Sequence, residues 1–200
     1  MSSSYSQYGE DRIVESIFGD QIGTLLDIGA WSVKDLSNSR AFIERGWRAT
    51  LVEFSPMPMH GLLIEYGYQD TVRLIQAAIT AGPQRVTEFD ITQNALSTAD
   101  PAHKKRWADA SCGYYGKLWV PTLTVEQLLA QFFENASIDY ASIDTEGTSV
   151  EVAVALLSTE QRPKVVIVEY DDKLESLLQQ AQQWGYKAVH TNETNVILAR

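Results

Sequence analysis

Two short apolar runs, each closing on an acid, constrain this chain more than any other feature: Thr24-Leu25-Leu26-Asp27-Ile28-Gly29-Ala30 and Leu51-Val52-Glu53-Phe54. They stand one strand–helix–strand unit apart. In an open α/β sheet, ligands bind beyond the carboxyl ends of the strands. There a glycine admits close backbone approach, and an acid on the next strand accepts hydrogen bonds from ribose hydroxyls. Either acid alone would read as a turn cap or a solvated strand end. The pair, with Gly29 between them, predicts a nucleoside cofactor at the sheet edge.

The rest of the chain alternates strand and helix, the pattern of a doubly wound, mainly parallel sheet covered on both faces. An amphipathic helix over Asp11 to Phe18 precedes a strand at Thr24 to Ile28. A helix from about Leu36 to Arg45 ends at Gly46, and Ala49 to Glu53 is the next strand. Leu62, Leu63 and Tyr66 mark a helix after Pro58, and Arg73 to Ile79 reads as a third strand. Thr124-Val125-Glu126-Gln127 and Thr148-Ser149-Val150-Glu151 have the capping-box form and should each open a helix. Between them lies the strand Tyr140 to Ile143. Val165 to Val168 reads as a buried central strand, and Leu174 to Trp184 as a helix. Tyr186 to His190 and Asn195 to Leu198 should close the chain as a hairpin.

The first turn narrows the cofactor. A dinucleotide fingerprint needs three glycines so that a pyrophosphate can sit on the helix N-terminus. Here Asp27-Ile28-Gly29-Ala30-Trp31-Ser32-Val33 has one, with bulky Trp31 where the pyrophosphate would need room. S-adenosylmethionine has a ribose and no phosphate. The turn favours that methyl donor over a nicotinamide dinucleotide.

Several motifs together carry a resemblance. Ser6-Gln7-Tyr8-Gly9-Glu10-Asp11, Asp27-Ile28-Gly29-Ala30, Ser37-Asn38-Ser39 before Glu44-Arg45-Gly46-Trp47, Glu53 with Pro56, and Ile143-Asp144-Thr145-Glu146-Gly147 resemble an FkbM-type methyltransferase in order and spacing. The chain departs from the common pattern at Trp31 and at Ser39. The resemblance implies a Rossmann-like class I methyltransferase fold with a seven-stranded sheet and a C-terminal antiparallel hairpin, and a length of 200 residues with 44% hydrophobic content makes residues 1–200 one domain. It also implies an O-methyltransferase acting on a hydroxyl oxygen of a small molecule or glycan. By the same resemblance Asp27, Gly29, Ala30 and Trp31 approach the donor and Glu53 binds its ribose. Phe54, Ala77 and Ala78 flank the adenine, while Gln7, Tyr8 and Asn38 close the pocket at the methionine end.

Chemistry at the acceptor needs a group that handles a proton. Parallel strands deliver Asp144-Thr145-Glu146-Gly147 to the same sheet edge as Asp27 and Glu53, so Asp144 borders the donor and is the first candidate to orient or deprotonate a hydroxyl. Glu146 and His103 follow it. Asp144 could instead only cap the turn into the next helix. Glu169-Tyr170-Asp171-Asp172 ends the neighbouring strand, so Asp144, Glu169 and Asp171 are candidate ligands for Mg²⁺, the alternative being that the later acids cap a helix.

A net charge of −10 and a pI near 4.7 argue against a nucleic-acid surface. One cysteine, Cys112, excludes an internal disulfide framework. The three histidines lack metal-ligand spacing. No apolar run approaches a membrane span and the N-terminus lacks a basic start, so a soluble, unprocessed, cytoplasmic protein without membrane partners is the expectation. Asp90 to Pro121 breaks the alternation. It carries Lys104, Lys105 and Arg106 beside Trp107, Tyr114, Tyr115 and Trp119, and reads either as a surface insertion or as a substrate lid for an anionic or glycosidic acceptor. Two other functions stay open: a nicotinamide-dependent oxidoreductase, and a binding partner that kept the fold without the chemistry.

Overall fold

The computed structural model describes residues 4–108, 113–134 and 136–200. Cys112 lies outside them. In chain order the elements are α1 (Glu10–Phe18), β1 (Thr24–Ile28), α2 (Arg40–Glu44), β2 (Arg48–Val52), α3 (Pro56–Tyr66), β3 (Val72–Ile75), β4 (Ala78–Thr80) and β5 (Val86–Ile91). They continue with α4 (Pro101–Trp107), β6 (Gly116–Thr124), α5 (Val125–Phe132), β7 (Tyr140–Ile143), α6 (Ser149–Leu157), β8 (Val165–Glu169), α7 (Leu174–Gln182), β9 (Lys187–Thr191) and β10 (Asn195–Ala199).

Seven strands form the main sheet in the order β3-β2-β1-β7-β8-β10-β9. The strands from β3 to β8 run parallel, and β10 lies antiparallel to both β8 and β9. The fold is the doubly wound α/β class anticipated above, and its C-terminal antiparallel strands are present. Side chains alternate between the two faces of each strand, and the core divides accordingly. Leu25, Leu51, Tyr140 and Ile167 pack with Val14, Phe42 and Leu62 of α1, α2 and α3. On the other face Leu26, Ile28, Ala141, Val166 and Val168 pack with Leu128, Leu156 and Leu177 of α5, α6 and α7. Five-residue strands with nearly every position buried account for the unbroken apolar runs at β1 and β8.

Several boundaries differ from the sequence reading. The helix at Leu36 to Arg45 contracts to α2, because Leu36 adopts φ 61° and the Ser37 hydroxyl takes the backbone N–H of Arg40, holding the segment in a turn. The apolar run Arg73 to Ile79 is two strands. The Glu53 N–H donates to the Ile75 carbonyl at the end of the first, and Ala78 to Thr80 then pairs with Thr122 to Thr124 in a separate sheet of order β4-β6-β5. The capping box at Thr124 forms, with Gln127 reciprocating. The one at Thr148 does not: its hydroxyl bonds the Thr145 hydroxyl at 2.9 Å, and Glu151 pairs with Lys173.

The motif before β1 is a structural clamp. Asp11 is fully buried and its carboxylate accepts from the Ser4 and Ser6 hydroxyls and from the backbone N–H groups of Tyr5 and Arg12. Glu10, also fully buried, accepts from the side-chain amides of Asn192 and Asn195 at the β9–β10 turn. Among the described residues, no helix is long and apolar enough to cross a membrane.

Candidate active site

A cleft enclosing about 860 Å³, its mouth included, opens beyond the carboxyl ends of β1, β2 and β7. That size suits a small-molecule site. Asp27, Gly29, Ala30, Trp31, Asn38, Glu53, Phe54, Ala77, Ala78, Asp144 and Glu146 all line it, eleven positions singled out from the sequence. Trp31, Leu36 and Glu146 line it with positive φ (42°, 61° and 50°), a backbone arrangement that non-glycine residues hold only where the surroundings impose it.

Glu53 is 4% exposed. Its Oε2 accepts from the Trp31 N–H at 3.0 Å and its Oε1 from the Ser55 N–H at 2.7 Å. Burial pushes its pKa up, and these backbone donors pull it back part of the way. Each oxygen keeps a further lone pair, so the carboxylate is fixed in place with acceptor capacity to spare.

Asp27 pairs in register with Ser142 of β7 and Leu51 of β2. It is buried, and that burial raises its pKa to about 7; the charges of Asp144 and Glu53 push the same way, while the Ser39 and Ser142 hydroxyls oppose them. Asn38 donates to the Ser142 hydroxyl and accepts from the Tyr140 hydroxyl through its backbone carbonyl. Its side-chain Oδ1 is buried without a partner among the described residues.

Gly29 has φ 87°, and a Cβ built on it would lie 1.7 Å from the carbonyl oxygen of Asp144. Its missing side chain therefore lets the β1 and β7 turns touch. The sequence reading had assigned that freedom to the cofactor.

At the β7 end of the cleft three carboxylates converge. One oxygen each from Asp144, Glu146 and Glu169 lies within 4.8 Å of the others. Asp144 Oδ1, Glu146 Oε2 and Glu169 Oε2 are buried without hydrogen-bond partners among the described residues. Desolvation raises the pKa of all three, and the Asp144 charge adds to it at Glu146 and Glu169.

His103, on α4, stands directly behind this group. It is 2% exposed, and its Nε2 is 2.9 Å from Glu146 Oε2 at an angle that makes no hydrogen bond. Gly147, at φ 106°, makes the approach possible, since a Cβ there would meet Asp100 and the His103 Cβ at 2.9 Å. Burial holds the imidazole pKa down.

Three expected positions fall elsewhere. Gln7 and Tyr8 are exposed and are not among the residues lining the cleft. Asp171 is outside the carboxylate group, because Arg106 bridges it at 2.9 Å and also reaches Asp172. Lys104 pairs with Asp90 at 2.6 Å, so two of the three adjacent cations of the insertion are already engaged with acids.

A family model described as the methyltransferase FkbM domain matches residues 27–188. The chain belongs to the FkbM methyltransferase family. A search of curated proteins found no match to it. Among solved structures, the METTL16 methyltransferase domain is similar at TM-score 0.53 and 13% identity, the match covering 96% of this chain and 65% of that one. The FkbM domain thus spans less than two thirds of that relative. The N-terminal domain of human METTL16 in complex with SAH matches at TM-score 0.52 and 14% identity, over 100% of this chain and 71% of that one. A putative caffeoyl-CoA O-methyltransferase from Staphylococcus aureus matches at TM-score 0.50 and 12% identity, over 96% and 83%. These neighbours share the fold.

Sequence reasoning missed several residues that shape the FkbM cleft. Phe89 of β5 stacks on Phe54 with ring centroids 4.1 Å apart, and Ala95 and Ser97 complete that wall. Ser39 and Ser142 hold Asp27. The strand register opposite Asp27 would have pointed to Ser142. Nothing local marks Phe89.

Proposed function

We propose that this FkbM-family domain transfers a methyl group from S-adenosylmethionine to a hydroxyl oxygen of a small molecule or glycan. One observation carries the choice of donor: among the described residues the cleft is lined by Asp27, Glu53, Asp144 and Glu146 and by no lysine or arginine. An anionic wall favours a sulfonium with its ammonium group and repels a pyrophosphate, which disfavours a nicotinamide dinucleotide. The SAH complex of human METTL16 is in keeping with this donor. When bound, S-adenosylmethionine supplies an electrophilic methyl group.

The chain supplies position and proton handling. The free lone pairs of Glu53 accept ribose hydroxyls, and Phe54, Ala77 and Ala78 form the apolar wall for the adenine. The orphaned Asn38 Oδ1 is an acceptor for the amino group at the methionine end. Asp144 faces the junction of donor and acceptor, with Glu146 and His103 behind it, and orients the acceptor hydroxyl. A neutral acceptor suits this end of the cleft. An anionic one would meet the carboxylates, and Lys104 and Arg106 are already paired. The same acidity, with a net charge of −10, disfavours nucleic acid as acceptor.

Calorimetric titration with S-adenosylhomocysteine and, separately, NAD tests the donor. Saturable binding of the first alone supports the reading, and binding of NAD alone overturns it. Methyl transfer to a panel of alcohols and glycans then separates the enzyme from a non-catalytic binding partner.

A further inference from the structure

We infer that Asp144, Glu146 and Glu169 form the ligand set of one divalent cation, Mg²⁺ or Mn²⁺ in class, with His103 as the positioning residue for Glu146. Three carboxylate oxygens within 4.8 Å of one another share a centre no more than about 2.8 Å from each, so small side-chain movements bring all three to the roughly 2.0–2.1 Å at which Mg²⁺ is held. All-oxygen ligation selects that class over softer metals. The inference deepens the proposed function and rests on it, because a cation here would border the acceptor hydroxyl and ease its ionisation.

Two independent observations separate this group from an ordinary acidic patch. Each of the three carboxylates also carries one buried oxygen, Asp144 Oδ1, Glu146 Oε2 and Glu169 Oε2, with no donor on it among the described residues. Carboxylates at exposed helix starts have water and backbone N–H groups instead. The second observation is His103. A side chain only 2% exposed leaves both ring nitrogens without hydrogen bonds among the described residues and brings Nε2 to 2.9 Å from Glu146 Oε2. A ring nitrogen this close needs only a small reorientation to donate to Glu146 and fix its position as a ligand, and losing such a supporting partner costs about 10–100-fold in metal affinity. The backbone prepares the arrangement from two elements. Gly147 clears the space for His103, and the Thr98 hydroxyl bonds the Glu146 carbonyl. Charge also points to a cation, since no lysine or arginine lines the cleft among the described residues. Arg106 is turned away to Asp171 and Asp172.

The test is titration of Mn²⁺ into the chelator-treated full chain, with free Mn²⁺ followed by electron paramagnetic resonance. One saturable site per chain is expected. Glu169→Gln and Glu146→Gln should each weaken it at least tenfold, and His103→Ala several-fold to tenfold. Mg²⁺ should compete. Removing one of three mutually repelling carboxylates leaves the fold intact, which the urea midpoint checks, and Asp144→Asn is the second variant should either glutamine chain fail to fold. Absence of a saturable site, or binding that neither glutamine substitution changes, overturns the inference. Calorimetry with S-adenosylhomocysteine keeps the two readings apart. Binding of that ligand without Mn²⁺ binding removes the cation alone, whereas Mn²⁺ binding without it supports the cation and removes the methyl-donor reading.

Discussion

Gly29 and the Asp144 carbonyl are in contact across the β1–β7 seam, so closely that any side chain at position 29 would occupy the space of that oxygen. The first turn and the acidic end of the cleft therefore move as one unit. Gly29→Ala adds both this overlap and an unfavourable positive φ, and should cost on the order of 3 kcal/mol or more of folding stability by urea denaturation. A variant within about 1 kcal/mol of wild type would mean that the seam can open at little cost.

Glu53→Ala should do two things. It removes the acceptor of the Trp31 and Ser55 N–H groups, costing roughly 1–3 kcal/mol of stability. It also removes the proposed ribose contact, lowering S-adenosylhomocysteine affinity by about tenfold to several-hundredfold. Loss of stability with unchanged affinity would make Glu53 a turn anchor alone. The two readouts are chemical denaturation and calorimetry.

Asp27 gives a pH signature. It faces Asp144 and Glu53 with Ser39 and Ser142 as its hydroxyl partners, and its folded-state pKa of about 7 lies above the ordinary 3.8. The folded chain then holds the proton longer than the unfolded chain. The Asp27 contribution is at its most favourable below pH 3.8, falls as the pH rises through the window from 3.8 to 7, and is constant above it. Asp27→Asn should gain on wild type across that window by on the order of 4 kcal/mol. A stability difference that does not change with pH would show that Asp27 is ionised throughout.

Arg106 ties α4 to the acids after β8 by surface ion pairs, which contribute about 1 kcal/mol or less. Arg106→Ala should therefore shift the melting temperature by no more than a few degrees, about 4 °C at most. It should nevertheless speed proteolysis within residues 92–115 several-fold, because local opening responds to local contacts. In wild type, protection of that segment by S-adenosylhomocysteine together with an acceptor analogue would identify a substrate lid. Cleavage indifferent to both ligands would leave the insertion as packing against the sheet.

The parallel sheet was legible because its strands are buried on both faces and announce themselves as continuous apolar runs, as at β1 and β8. The acids at the strand ends were legible for a related reason: polar groups at the close of an apolar strand need a partner. The split between β3 and β4 was not, since Ala78 to Thr80 leaves the main sheet only because Thr122 to Thr124 offers it another edge. Asp171 and Glu146 show the same limit. Both follow a strand and both have positive φ, yet one turns to Arg106 and the other to Asp144 and Glu169. That choice depends on where α4 lies, and α4 is placed by Gly147, remote from it in sequence.

The buried Glu10 carboxylate has a consequence for how the chain assembles. Its partners Asn192 and Asn195 lie 182 and 185 positions downstream, so this carboxylate has its full set of donors only once the β9–β10 hairpin is in place. Contacts of such wide sequence separation are formed late and slow the search for the native state. A helix that precedes β1 is thus locked by a turn on the far side of the same sheet, and its burial reports that the β9–β10 hairpin has formed.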